Sequence, residues 1–305
     1  MNYNILLVGY GNIGKRYLEG ILKSKLNISV LIIDNNIDER FEDNFKNKNL
    51  HFSNSYEKFK QIDIDLLINT TYATQRFDLI KNYCNYFNVK NLILEKVLEN
   101  SLGNIKEFKR LKLENCWVNT FLRTLDVFKE IKNKSTGKIK MKVSGGNWGL
   151  LCNTIHYVDL MAFISESSPE KILKQKLNSN FFPAKRKGFF EIYGSFQVIY
   201  KDGSILYLEC VDSEEELTIE YKCGSYKLNY NLISGVLKSD NQSSIRNIPY
   251  QSDMSTDLVN NILLNKKCEL TKLKDSLNYH EFYLKFIIDY RNNLEKVNLN
   301  SISIT

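Results

Sequence analysis

Gly9-Tyr10-Gly11-Asn12-Ile13-Gly14 sets three glycines at the spacing G-x-G-x-x-G, directly after the apolar run 4–8 and directly before Tyr17, Ile21 and Leu22 at helical spacing. Strand, glycine turn and helix in that order make a phosphate cradle. The first glycine permits the tight turn, the second lets the backbone approach a pyrophosphate, and the third lets the helix pack closely on the strand. The helix start offers unpaired N–H groups to the phosphates. Gly9, Gly11, Asn12, Ile13 and Gly14 are therefore expected to hold the diphosphate of a dinucleotide. Asp34 stands twenty residues past Gly14, at the end of the next apolar run, 28–33. There a carboxylate accepts hydrogen bonds from the adenosine ribose hydroxyls and repels a 2′-phosphate. No arginine immediately follows it, so the pattern predicts NAD(H) in preference to NADP(H).

The elements that must position these residues alternate. Run 65–69 ends in Thr70-Thr71 ahead of a helical stretch, 75–87, and run 92–94 ends in Glu95-Lys96. Alternation of this kind predicts an α/β chain with a doubly wound, mostly parallel sheet, whose sites lie at the carboxyl ends of its strands. Gly9, Asp34, Thr70 and Lys96 all fall at such ends, on one rim. After Asn119 the pattern changes. Helix candidates at 125–132 and 153–164 flank a strand at 139–143, and strands then follow at 172–177, 189–200, 205–211, 217–221 and 225–232, with turn signals at Asp202-Gly203 and Cys223-Gly224. Helices return at 255–264 and 273–290. The expected organisation is an N-terminal Rossmann domain over residues 1–119. A C-terminal α+β domain over 120–305, with a large, mostly antiparallel, open-faced sheet, is expected to serve substrate binding and oligomerisation.

The 305 residues are 43% hydrophobic and 25% charged, with 14 Gly and 3 Pro, an ordinary globular composition with little flexible linker. No apolar run reaches the roughly 18 residues of a membrane span. The first residues lack a basic leader and read as a strand rather than a signal peptide, which predicts a cytoplasmic protein without membrane contact. Six scattered cysteines without a CxxC pair argue against a zinc site or a disulfide framework, and no metal is expected. The net charge of +7 is spread along the chain without a basic stripe, which argues against nucleic acid and favours a mild attraction to anionic substrates.

The glycine motif, Glu95-Lys96, Arg123 beyond it, and His156 with Asp159 on a helix together resemble the glucose-fructose oxidoreductase and inositol dehydrogenase family (Gfo/Idh/MocA). The resemblance runs from Asn4 to about Tyr290. In that family Glu-Lys-Pro ends the fifth strand and its lysine sits beside the nicotinamide and the reacting hydroxyl. Glu95-Lys96-Val97 matches at two of three places. The resemblance thus implies that Thr70, Thr71, Glu95 and Lys96 line the nicotinamide side and that the Lys96 ammonium steadies charge developing on the substrate oxygen. With valine in place of proline a trans Lys96–Val97 bond is expected, since a cis bond there costs about 2.5–4 kcal/mol.

The family's second signature, Asp-x-Gly-x-His-x-x-Asp, falls on residues 152–159. His156 and Asp159 match, while Cys152 replaces the first Asp and Thr154 the Gly. On a helix, residues 152, 156 and 159 share a face, so Cys152 and Asp159 can flank the imidazole. The resemblance makes His156 the acid/base for alcohol–ketone interconversion, with Asp159 orienting it or capping the helix. Asn153 supplies a polar contact or is the N-cap.

Asn119, Arg123, Trp148, Cys152, Asn153, Lys185 and Arg186 are the candidate substrate contacts. Lys185 and Arg186 lie in the basic stretch 184–191, suited to a carboxylate or a nucleotide diphosphate. Trp148 suits stacking on a sugar or a place in the core. These last two features resemble the branch of the family acting on bacterial surface-polysaccharide sugars. The implied activity is an NAD(H)-dependent sugar or nucleotide-sugar oxidoreductase acting on CH–OH groups, assembled as a homodimer or homotetramer. The rival readings are a non-catalytic NAD-binding sensor or scaffold, and a reductase of a non-sugar substrate.

Overall fold

A computed structural model describes residues 2–37, 49–74, 76–111, 113–239 and 242–305. Gln75, where the sequence begins its second helical stretch, lies outside them. The chain divides into two units, but not by a single cut. The first comprises residues 1–98, 110–119 and 249–273, and the second 99–109, 120–248 and 274–305.

In the first unit, six strands form a parallel sheet: β1 (Tyr3–Val8), β2 (Ile28–Ile33), β3 (Leu50–Ser53), β4 (Leu66–Asn69), β5 (Leu92–Leu94) and β6 (Cys116–Val118). A short strand, Thr271–Lys272, adds antiparallel to β6. The spatial order β3-β2-β1-β4-β5-β6 reverses direction between β1 and β4, the doubly wound order with its switch point there. Ile5, Leu6, Leu7, Leu66, Leu67 and Ile68 have no exposed surface. Such continuous apolar runs are what a parallel sheet covered on both faces requires. Helix α1 (Asn12–Lys23) follows β1, and α2 (Arg76–Tyr86) follows β4.

The segment 249–273 belongs to this unit because its helix, Gln251–Asn265, lies against α1 at Gly20. A Cβ on Gly20 would stand 2.4 Å from the Ser252 carbonyl oxygen, and Thr256 Oγ1 donates to the Gly20 carbonyl at 2.8 Å. Contact this close needs a residue without a side chain. Nothing in the local sequence pattern signals it.

In the second unit, α3 (Asp126–Lys134) and α4 (Leu150–Ser165) accompany an eight-stranded sheet. Its strands are β7 (Ile139–Gly146), β8 (Pro169–Leu177), β9 (Gly194–Tyr200), β10 (Ile205–Val211), β11 (Thr218–Cys223), β12 (Tyr226–Asn231), β13 (Val236–Ser239) and β14 (Gln242–Ile245), in the order β8-β9-β10-β7-β11-β12-β13-β14. Among the described residues of this sheet, only β10 and β7 pair in parallel. The sheet alternates cleanly: Met141, Val143, Val198, Leu206, Leu208 and Ile219 are buried on one face, while Lys140, Glu220, Lys222 and Lys227 are exposed. Alternation of this kind is expected of a largely antiparallel sheet packed on one side.

The expected long strand 189–200 is broken. Phe190–Glu191 and β9 are separate, and β9 opens on Gly194 at φ 133°, where a Cβ would stand 2.4 Å from the Lys176 carbonyl oxygen. The predicted helix 153–164 begins three residues earlier, at Leu150. Among the described residues no helix is long and apolar enough to cross a membrane.

Candidate functional site

The glycine loop sits at the switch point of the first unit, after β1. Gly9 has φ 91°, and a Cβ on it would stand 2.8 Å from Thr70 Oγ1, which donates to the Gly9 carbonyl at 2.8 Å and to the Val8 carbonyl at 3.1 Å. A Cβ on Gly14 would stand 2.0 Å from the Gly9 carbonyl oxygen, so helix and turn meet backbone to backbone. Gly11 differs from both: a Cβ there would meet nothing within 4 Å. It opens on space, and no side chain caps the N-terminus of α1 at this residue. Open space beside a helix N-terminus whose N–H groups no side chain caps suits a diphosphate.

Asp34 is half-buried at the end of β2. Its Oδ2 accepts from the Tyr10 N–H at 2.7 Å and its Oδ1 from the Asn36 N–H at 2.9 Å. Each oxygen retains a further lone pair for a ribose hydroxyl. The Tyr10 ring packs edge-on to Phe52 with centroids 5.6 Å apart.

Beside the loop, the ends of β4 and β5 are drawn together by Arg76, the first residue of α2, which is 1% exposed. Its Nη1 donates to the carbonyls of Glu95, Val97 and Leu98, its Nη2 to that of Thr71, and its Nε to Asn69 Oδ1 at 3.2 Å. The Lys96–Val97 bond is cis, which corrects the trans expectation. That expectation weighed the bond's intrinsic preference alone, without the buried guanidinium that donates to the carbonyls around it. Lys96 itself is half-buried.

Glu95 points into a buried polar cluster: Oε1 accepts from Asn119 Nδ2 at 2.7 Å and from the Tyr17 hydroxyl at 3.2 Å. Burial pushes its carboxyl above the ordinary 4.5, against the pull of Asn119, Arg76, Lys96 and Tyr17. Asn119 also donates to the Tyr17 hydroxyl at 2.9 Å.

In the second unit, α4 carries His156 and Asp159, 8% and 1% exposed. The imidazole stands edge-on to Phe121 with centroids 5.2 Å apart. Asp159 Oδ2 accepts from Arg123 Nε at 2.9 Å, and Arg123 lies over the Phe163 ring. Burial, then the Asp159 charge, pushes the Tyr279 hydroxyl up to about 12. Arg123 and Asp159, read from sequence as a substrate contact and an imidazole partner, thus form an ion pair with each other.

Glu191 holds the start of α4. Its Oε2 accepts from the Leu151 N–H at 2.7 Å and its Oε1 from the Cys152 N–H at 3.0 Å. The N-cap is Gly149, at φ 78°, not Asn153; Asn153 lies a turn inside and its Nδ2 donates back to the Trp148 carbonyl at 2.6 Å. Cys152 Sγ faces the Gly149 carbonyl at 3.7 Å. Trp148 is 8% exposed, edge-on to Tyr157 and donating Nε1 to the Glu209 carbonyl at 2.8 Å. Lys185 and Arg186 are exposed in the turn between Phe182–Pro183 and Phe190–Glu191, where Arg186 Nη1 donates to Thr305 Oγ1 at 3.3 Å. A cavity of about 330 Å³ between α3 and the β13–β14 hairpin is lined by none of these residues.

Sequence reasoning missed Arg76, Tyr17, Phe121 and the role of Glu191. Glu191 ends the stretch read for its basic residues, and Arg76 stands alone in a polar helix start. Neither carries a motif, because each acts on backbone groups brought to it by the fold.

No protein-family model and no curated protein matches the sequence. Solved structures do resemble it in fold. A levoglucosan dehydrogenase in complex with NADH is 12% identical over 96% of this chain and 98% of its own, with a TM-score of 0.76. The UDP-N-acetylglucosamine 3-dehydrogenase GnnA from Acidithiobacillus ferrooxidans is 10% identical over 96% and 99%, with a TM-score of 0.73. GenD2 from gentamicin A biosynthesis, in complex with NAD, is 13% identical over 92% of each chain, with a TM-score of 0.69. At these identities the likeness establishes a shared fold: a parallel, doubly wound sheet and a large, mostly antiparallel one.

Proposed function

We propose that this protein is an NAD(H)-dependent oxidoreductase of a hydroxyl- or keto-bearing carbon in a sugar or nucleotide-activated sugar, acting in the cytoplasm in bacterial glycan or surface-polysaccharide biosynthesis. The observation that carries the reading is the open backbone at Gly11, beside the uncapped start of α1 and in the loop tied to Asp34. The fold shared with sugar and nucleotide-sugar dehydrogenases supports it. When bound, the nicotinamide supplies or accepts the hydride.

Gly9, Gly11, Asn12, Ile13, Gly14 and Asp34 hold the adenosine diphosphate half, and the Asp34 charge disfavours a 2′-phosphate. Thr70, Thr71 and Lys96 line the nicotinamide side. Glu95 and Asn119 support them from the buried cluster with Tyr17. His156 takes or returns the hydroxyl proton at its imidazole, and Asp159, paired with Arg123, stands three residues further along the same helix. Lys185 and Arg186, both exposed, meet an anionic group of the substrate. The assembly is a homodimer or homotetramer, and light scattering after size exclusion measures it.

The test screens free and nucleotide-activated sugars for a change in nicotinamide absorbance with wild type and His156→Ala. A sugar-dependent change that His156→Ala lowers at least a hundredfold is the expected result. NADH binding without turnover on any sugar replaces the enzyme with a sensor, and failure to bind either dinucleotide removes the cofactor from the reading.

A further inference from the structure

Arg76 is the largest fully buried side chain among the described residues. Its guanidinium donates to four backbone carbonyls and one side-chain amide, and its charge also acts on the buried Glu95 carboxyl. The choice of carbonyls is specific. Those of Glu95 and Val97 flank Lys96 on either side, that of Leu98 follows, and that of Thr71 belongs to the neighbouring strand end. A guanidinium has five donors in a rigid planar fork, so five acceptors fix both strand ends in one plane of reference. A lysine, with three donors on a rotatable ammonium, cannot reproduce that fork.

We propose that Arg76 is a positioning residue for Lys96 and Thr71, setting where the ammonium and the threonine stand without touching cofactor or substrate itself. This rests on the reading of Lys96 and Thr71 as nicotinamide-side residues. Asn69 extends the device. Its side-chain oxygen accepts from Arg76 Nε, from the Thr71 N–H at 3.3 Å and from Thr71 Oγ1 at 2.8 Å, so one amide serves both the guanidinium and the threonine.

A merely structural tie and a positioning role differ in what they do to the two halves of the dinucleotide. ADP-ribose contains the half assigned to the glycine loop and Asp34 but lacks nicotinamide. The experiment measures affinities for NADH and ADP-ribose with the full chain, for wild type, Lys96→Ala, Arg76→Lys and the double variant, with circular dichroism as the check of folding. The expected result is a fivefold or greater weakening of NADH in Arg76→Lys with ADP-ribose within twofold of wild type. Lys96→Ala shows the same selectivity, and the double variant is no weaker for NADH than the worse single one. Equal weakening of both ligands, or no weakening of NADH, overturns the proposal. If Arg76→Lys does not fold, Asn69→Ala is the second variant, and a smaller loss confined to NADH is required of it. Wild type that binds ADP-ribose as tightly as NADH, with Lys96→Ala silent, overturns the nicotinamide-side reading. Wild type that binds neither overturns the cofactor itself.

Discussion

The Asp34 carboxylate receives the Tyr10 N–H at 2.7 Å, so the acidic end of β2 is bonded to the glycine loop that follows β1. One residue therefore shapes the loop and presents a charge beside it. The two duties separate under substitution.

Asp34→Ala removes the loop tie and the negative charge together, and NADH affinity should fall about 10- to 100-fold, the range of a charge-assisted hydrogen bond worth about 1.5–3 kcal/mol. Asp34→Asn keeps an acceptor oxygen for Tyr10 and should fall less, while NADPH gains relative to NADH in both. Fluorescence titration with the two dinucleotides checks this. Unchanged affinities would leave Asp34 a loop anchor only.

Glu191 offers its carboxylate to two N–H groups in the first turn of α4. Glu191→Ala should lower stability by about 2–3 kcal/mol, because two buried N–H groups lose a charged acceptor, and Glu191→Gln by about 1 kcal/mol. Urea unfolding of the three proteins gives the numbers. A neutral Glu191→Ala would mean that water replaces the carboxylate without cost.

Arg123 and Asp159 are expected to couple. Arg123→Met leaves a carboxylate that is 1% exposed without its cation and should cost about 3 kcal/mol, whereas Arg123→Met with Asp159→Asn should recover much of that loss. A double-mutant cycle in urea measures the coupling. Strict additivity would show that the pair contributes nothing as a pair.

Glu95 gives a pH signature. Burial raises its pKa in the folded chain, so the folded protein holds that proton more tightly than the unfolded one. Its contribution is complete below the unfolded value and is lost as the pH rises through the folded one. Glu95→Gln keeps the oxygen that Asn119 and Tyr17 approach but cannot ionise. Its stability relative to wild type should therefore rise between pH 4 and pH 8, by about 1.4 kcal/mol for each pH unit separating the folded and unfolded values. Unfolding curves across that range decide it, and parallel profiles would refute it.

The parts of the site that lie within one stretch of chain were legible in the sequence. Gly9 and Gly14 are constrained by the turn they themselves make, Gly11 faces the open space beside it, and Asp34 ends the following strand, so spacing alone locates them. The segregated runs 205–211 and 217–221, with turn signals between neighbouring runs, likewise forecast the large, mostly antiparallel sheet. What the sequence concealed depends on distant backbone. Arg76 serves carbonyls about twenty residues ahead, Glu191 serves N–H groups forty residues behind, and Gly20 earns its place only against Ser252. Trp148 was ambiguous for the same reason. A tryptophan reads alike whether it meets a sugar or, as here, Tyr157.

The Glu191 contact also bears on what the second unit can attract. The first turn of α4 would otherwise present a positive electrostatic pole, the usual lure for a phosphate or carboxylate. Here the chain places its own carboxylate, that of Glu191, at that pole. A negatively charged ligand arriving near α4 would meet repulsion from Glu191 rather than a welcome from the helix, and its recognition falls to guanidinium and ammonium groups elsewhere.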